Sequence, residues 1–230
     1  MFIRTFPAGA FGTNCYVVAT GRGQECVVVD PGMDAVEPLA QIIAEDGLKP
    51  VAVVLTHGHL DHTFSVVPVC EGYDIPAYMH PLDNGMLTDP GSWFGPQLAR
   101  LVAGARFPDP SEVRPLDDGA VLDLAGVRLT VRHAPGHTDG SVVFGIDLGE
   151  APGLFAGDVL FEGSVGRVDL PGGSWEKMLA SLRDVVLPME DETIVLPGHG
   201  PATTIGRERA TNPYLAEAAA SLPAPKGRGL

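Results

Sequence analysis

Two apolar runs in this chain end in histidine-bearing loops. Val51-Ala52-Val53-Val54-Leu55 leads straight into Thr56-His57-Gly58-His59-Leu60-Asp61-His62, and Thr193–Leu196 leads into Pro197-Gly198-His199-Gly200. A short, continuous apolar run bounded by turn residues reads as a buried strand. In each half of the chain several such runs come first, then a helical pattern, then the strand that ends at histidine. This repetition points to an α/β architecture in which loops from several strand ends meet along one sheet edge.

The first half reads as strands over Phe2–Phe6, Cys15–Ala19 and Cys26–Asp30. A helix follows, opened by Asp34 and Glu37 as a capping pair and carrying Val36, Leu39, Ala40 and Ile43 on its apolar face. After strand Val51–Leu55, a second helix is expected from about Asp61, shortened or kinked by Pro68. Residues 81–117 lack periodicity and carry Pro, Gly and the apolar side chains of Met86, Leu87, Trp93, Phe94 and Phe107, as a lid or binding insert does. Strands are expected near Val121–Leu124, Val127–Arg132, Ser141–Ile146 and Leu154–Ala156. A helix from Ser174, a strand over Thr193–Leu196 and a final helix within Gly206–Ser221 complete the pattern. No linker separates the halves, so residues 1–222 are expected to form one domain, with 223–230 as a flexible tail.

A formal net charge of −14 repels phosphate backbones and anionic membrane surfaces, which argues against nucleic acid or a membrane as partner. No stretch approaches the ~18 apolar residues of a membrane span. The first residues show no basic segment followed by an apolar one, so the expected compartment is the cytoplasm. Cys15, Cys26 and Cys70 are odd in number and sit in apolar surroundings, as buried reduced thiols do.

Four loops carry the residues suited to chemistry: Thr56–His62, His133–Gly140, Phe155–Asp158 and Pro197–Gly200. In an extended loop His57 and His59 can turn the same way onto one metal, with Gly58 allowing the bend. Asp61 and His62 follow after a further turn and can face a neighbouring position. Imidazole and carboxylate suit Zn2+ or Fe2+. Three imidazoles and a carboxylate behind an apolar strand make little sense as packing, because burying polar groups without partners is costly. His80 and His133 stand alone and read as surface or satisfied core histidines, His133 also as a residue that orients a ligand from behind.

Thr56-His57-Gly58-His59-Leu60-Asp61-His62 resembles the HxHxDH signature of the metallo-β-lactamase superfamily, and the later loops match further motifs of that family in order. The similarity runs from Asn14-Cys15-Tyr16 and Asp30-Pro31-Gly32 to Asn212-Pro213. It implies an αββα sandwich, two mixed β-sheets flanked by helices. It also implies two divalent metal ions: His57, His59 and His137 on one, Asp61, His62 and His199 on the other, and Asp158 bridging. Zinc is the first expectation, with iron or manganese as alternatives. A degenerate scaffold kept as a binding module should have lost ligands, and every ligand position here is filled.

Residues 157–173 and 196–213 are similar to the short glyoxalase II-like hydrolases. That likeness implies cleavage of a small-molecule hydroxyacyl thioester by a metal-activated bridging hydroxide. Asp61 and Asp158 are then the carboxylates of the catalytic centre. Arg167 pairs with Asp169 or contacts a substrate carboxylate, and Trp93 and Phe94 cover the acyl group or simply pack. Longer glyoxalase II proteins add a C-terminal helical domain that supplies glutathione-binding surface, whereas this chain ends soon after Pro213-Tyr214-Leu215. Thr63-Phe64-Ser65 and Asp139 also depart from the common pattern. The nearest rival is a persulfide dioxygenase, which shares the histidine string but uses one iron at the positions of His57, His137 and Asp158. The family's tRNA-processing nucleases are opposed by the charge, and its true β-lactamases by the lack of an export signal and by Asp158 where several of them use Cys.

Overall fold

A computed structural model describes residues 1–93, 100 and 107–221. Among these, strands β1 (Phe2–Ala8), β2 (Thr13–Ala19), β3 (Glu25–Val29), β4 (Lys49–Val54), β5 (Ala77–Met79) and β6 (Val113–Pro115) form one sheet in chain order. The second sheet runs β7 (Val121–Leu124), β8 (Val127–His133), β9 (Val142–Asp147), β10 (Pro152–Gly157), β11 (Ile194–Pro197) and β12 (Thr203–Thr204), again in chain order. Both sheets are mixed. In the first, β1 to β3 are antiparallel and β3 to β6 parallel. In the second, only the β10–β11 pair is parallel.

The valine-rich strands are buried on both faces, so alternate residues feed different cores. Cys15, Val17, Val28 and Val53 face a core shared with helices α1 (Val36–Asp46) and α3 (Val66–Tyr73). Tyr16, Val18, Val27, Val29 and Val54 meet Leu129, Val131, Phe144 and Phe155 of the second sheet. On the outer face of that sheet Leu154, Ala156 and Val195 pack against helices α5 (Trp175–Ser181), α6 (Ile205–Thr211) and α7 (Pro213–Ala220). The result is the expected αββα sandwich. The echo between the halves is a repeated crossover, β3–α1–β4 and β10–α5–β11, each bringing a parallel strand to a histidine loop. Cys15, Cys26 and Cys70 are free and buried, as expected. No helix among the described residues is long and apolar enough to cross a membrane.

Several local expectations need correction. Asp34 does not cap α1: it sits at φ 56°, Ala35 occupies the N-cap position, and no side chain caps that end. The helix expected from Asp61 is two, α2 (Leu60–Thr63) and α3, broken where the Ser65 hydroxyl donates to the Gly32 carbonyl at 2.6 Å. Pro68 lies in the first turn of α3, where its missing N–H has no intrahelical acceptor to lose, and the break falls at Phe64, whose carbonyl a helix continuous from Asp61 would have offered to Pro68. The insert expected over 81–117 is not irregular throughout. It holds a 3-10 turn over Pro81–Asp83, helix α4 (Asn84–Thr88), a second 3-10 turn over Pro90–Ser92 and strand β6. The final helix is divided at Asn212, whose side chain accepts from Tyr214 N at 3.0 Å to cap α7, with Pro213 at its first position. Residues 94–99, 101–106 and the expected tail at 223–230 lie outside the described residues.

Candidate metal centre

The four loops meet at one edge of the sandwich. Thr56–His59 follows β4, and α2 presents Asp61 and His62. His137 lies between β8 and β9, Asp158 follows β10, and His199 follows β11. Backbone hydrogen bonds stitch these loops together: Val142 N to Thr56 O at 2.8 Å, Gly198 N to Gly157 O at 2.8 Å and Asn14 N to Gly198 O at 2.7 Å. Gly58 is needed for close approach and not for an unusual bend, because it has no positive φ and a Cβ there would lie 2.8 Å from Met86 Cβ.

Three groups of three donors result, His57, His62 and Asp158 forming one that joins the other two. His137 Nε2 lies 2.7 Å from His59 Nδ1 and 3.2 Å from His57 Nε2. His199 Nε2 lies 3.3 Å from His62 Nε2 and 3.1 Å from Asp61 Oδ2. Each triad draws two residues from the first sheet and one from the second. Asp158 stands between them, with Oδ1 3.2 Å from His62 Nε2 and Oδ2 3.5 Å from His137 Nε2. All seven expected ligands are therefore brought together, and their donor atoms group as sets suited to holding metal ions.

The residues behind the ligands fix which nitrogen faces inward. His62 Nδ1 donates to Asp30 Oδ2 at 2.9 Å, and His137 Nδ1 donates to the Arg167 carbonyl at 2.7 Å, leaving Nε2 of each ring for the centre. Asp30 also accepts from Thr56 N and Thr56 Oγ1, at 2.8 and 2.6 Å. The Thr56 hydroxyl lies 3.1 Å from His57 Nδ1.

The electrostatics differ between the triads. Burial, reinforced by neighbouring imidazoles, holds His57 well below its ordinary value and His59 down at about 3. Burial also opposes a proton on His62, but Asp158 and Asp61 outweigh it and move His62 well above its ordinary value. His199 is raised as well, burial being overcome by its hydrogen bond to Asp61 and by Asp158. Burial alone would raise the carboxyls of Asp61 and Asp158, yet His62 holds both down.

The donor set fits a metal. Tetrahedral coordination by nitrogen and oxygen at about 2.0–2.1 Å places donor atoms roughly 3.3 Å apart. The spacings in the two triads, 2.7 to 3.6 Å, lie on either side of that value, three of them at 3.1 to 3.3 Å. His57 and His59 are held unprotonated, so lone pairs converge there, and a cation between them removes the repulsion.

The remaining candidates are placed differently. The Arg167 guanidinium is exposed and makes a two-point pair with Asp169 at 2.7 and 2.8 Å, so it is the Arg167 carbonyl that serves the centre. Trp93 packs against Gly172 and Gly85, with Asp139 also beside Gly172, on the side of the His137 loop. Phe94 lies outside the described residues. His80 and His133 stack at 4.3 Å, and His133 Nε2 donates to the Asp139 carbonyl at 2.8 Å, bracing the loop that carries His137. Asp30, Thr56 and Asp83 also serve the centre, although no motif in the sequence assigns them a role there. For Asp30 a signal existed, a carboxylate at the end of an apolar strand before Pro31-Gly32.

A model of the metallo-beta-lactamase superfamily matches residues 8–199. The chain belongs to this superfamily. Hydroxyacylglutathione hydrolase GloC of Haemophilus influenzae is 33% identical over 220 residues, which cover 94% of this chain and 98% of that protein. The crystal structure of BLEG-1, a B3 metallo-beta-lactamase, has a TM-score of 0.81 and 36% identity, covering 93% of this chain and 99% of that one. The crystal structure of TTHA1623 in a di-iron-bound form has a TM-score of 0.76 and 41% identity, covering 94% and 100%. The histidine and aspartate cluster thus lies in a metallo-beta-lactamase superfamily fold and offers donor groups that could hold metal ions.

Proposed function

We propose that this protein hydrolyses a small hydroxyacyl thioester at a centre holding two divalent metal ions. The observation that carries the reading is the position of Asp158 between the triads, with Oδ1 beside His62 and Oδ2 near both His137 and His199. Five imidazoles and two carboxylates accept zinc, iron or manganese; zinc is the first choice, with the di-iron form of TTHA1623 as precedent for iron. Metal ions held there supply Lewis acidity and lower the pKa of a water at the centre.

The chain's own residues do the rest. Asp61 and Asp158 offset part of the metal charge, leaving the centre suited to an anionic tetrahedral transition state. Asp30 and the Arg167 carbonyl keep His62 and His137 aimed at the centre. A thiolate leaves without a strong general acid, so the carboxylates remain available as ligands. Phe161, its ring 6.0 Å from that of His199, supplies an apolar wall for the acyl group, and Trp93, beside Gly172, is the second candidate for that role. Choice of a thioester rests on the likeness to GloC, and choice of a small soluble substrate on the net charge of −14.

The test is thiol release by the metal-loaded protein from a hydroxyacyl-glutathione and from simpler acyl thioesters. The reading expects turnover of at least one of these that disappears with chelator and returns with metal. Oxygen consumption with a persulfide, without thiol release from any thioester, would overturn it in favour of the mononuclear iron alternative.

A further inference from the structure

We infer that Asp83 is the positioning residue of the His57, His59 and His137 triad, its carboxylate clasping the two loops that bring these ligands from opposite sheets. The inference rests on the metal-centre reading and deepens it. Asp83 closes the 3-10 turn after β5 and is fully buried. Its Oδ2 accepts from Gly58 N at 2.9 Å and from Thr138 Oγ1 at 2.7 Å, and its Oδ1 accepts from Gly140 N at 2.7 Å. Gly58 lies between His57 and His59, and Thr138 directly follows His137. One side chain therefore ties the first-sheet loop to the second-sheet loop at the residues adjoining three ligands.

The contacts are specific to a carboxylate. All three donors are neutral, and burial pushes the Asp83 carboxyl above the usual carboxylate range, only partly offset by those donors. A buried carboxylate facing no charged donor is costly, so simple packing would be served better by an apolar side chain. Both oxygens are used as acceptors, and an amide would turn an N–H toward an N–H or hydroxyl that needs an acceptor. The neighbouring glycines belong to the same device. A Cβ on Gly140 would lie 2.5 Å from Asp83 Oδ1, and one on Gly58 would lie 2.9 Å from the Asp83 carbonyl. His80, at the start of the same turn, stacks on His133, which holds the Asp139 carbonyl. The turn thus grips the His137 loop at a second point.

Outer partners of metal ligands typically govern metal affinity by about 10–100-fold. The test titrates metal-free wild type, Asp83→Asn and Thr138→Val with Co2+, following the visible ligand-field spectrum and the binding heat. His199→Ala and His59→Ala backgrounds separate the triads. The expected result is a loss of about 10–100-fold in Co2+ affinity for Asp83→Asn in the His199→Ala background, with unchanged affinity in the His59→Ala background. Thr138→Val, which removes one of the three hydrogen bonds, should give a smaller loss at the same triad and carries the test if Asp83→Asn does not fold. Unchanged affinity at the His57, His59 and His137 triad, or equal weakening at both triads, would overturn the inference. Wild type that binds no Co2+ would instead overturn the metal-centre reading, and the inference with it.

Discussion

Asp30 holds His62 from behind, its Oδ2 2.9 Å from Nδ1 of that ring, although 32 residues separate them in the chain. It does so from a left-handed backbone at φ 49°, and the same carboxylate takes the amide and hydroxyl of Thr56. Truncation to alanine leaves three buried donors without an acceptor. Asp30→Ala is predicted to destabilise the metal-free protein by about 3–5 kcal/mol, measured by urea denaturation. A loss well under 1 kcal/mol would show that the hydrogen bonds around Asp30 carry little of the fold.

Metal and protons compete for the same imidazole nitrogens. His57 and His59 are held neutral, so they release no proton when metal enters at neutral pH. His62 and His199 are raised and keep protons longer, so metal must displace those protons. Affinity at the Asp61, His62 and His199 triad is therefore predicted to fall as pH drops from about 8 to about 6, while the other triad changes less. Co2+ titrations across that range check it. A steeper pH dependence at the His57, His59 and His137 triad would contradict the electrostatic picture.

Glycines around the centre differ in what they permit. A Cβ on Gly198 would lie 2.2 Å from Asp158 Oδ1 and 2.6 Å from His62 Cε1. Gly72 in α3 has nothing within 4 Å and no positive φ. Gly198→Ala is predicted to abolish metal retention at the Asp61, His62 and His199 triad. Gly72→Ala should leave metal content intact and raise stability by about 0.5–1 kcal/mol. Metal analysis and thermal melts on the two variants separate crowding at the centre from a general effect of glycine replacement.

Arg167 separates backbone from side-chain roles. Its carbonyl holds His137 while its guanidinium pairs with Asp169 in solvent. Arg167→Ala keeps the carbonyl, so metal content and melting temperature are predicted to stay at wild-type values. If the guanidinium also meets a substrate carboxylate, KM rises with kcat unchanged. Loss of metal in this variant would contradict the assignment of the carbonyl.

The central strands and the four candidate ligands of the first histidine loop were legible in the sequence because their signals are local. Valine runs alternate between two cores, and His57, His59, Asp61 and His62 fall within six consecutive residues. His137, Asp158 and His199, far apart in the chain, came as ligands only from the resemblance. Strands β5 and β6 have three residues each, too few to show a period of two, so both escaped notice, β5 just before the apparently irregular stretch and β6 within it. Asp83 was illegible for another reason. Its partners Gly58 and Thr138 lie 25 and 55 residues away, and nothing in Met79-His80-Pro81-Leu82-Asp83 marks a buried acceptor. The break at Ser65 coincides with a tertiary hydrogen bond to Gly32. The break at Asn212 carries a local signal, an N-cap followed by proline, to which bonds to Phe161 and Ser164 are added as tertiary partners. Local propensity carries no record of those partners.

The proposed chemistry needs two adjoining metal positions with Asp158 between them. Its most direct test is elemental mass spectrometry of the protein purified without added metal and again after reconstitution. The account predicts about two divalent ions per chain, falling toward one in His199→Ala. About one iron per chain with no second site on reconstitution, or no metal at all, would contradict it.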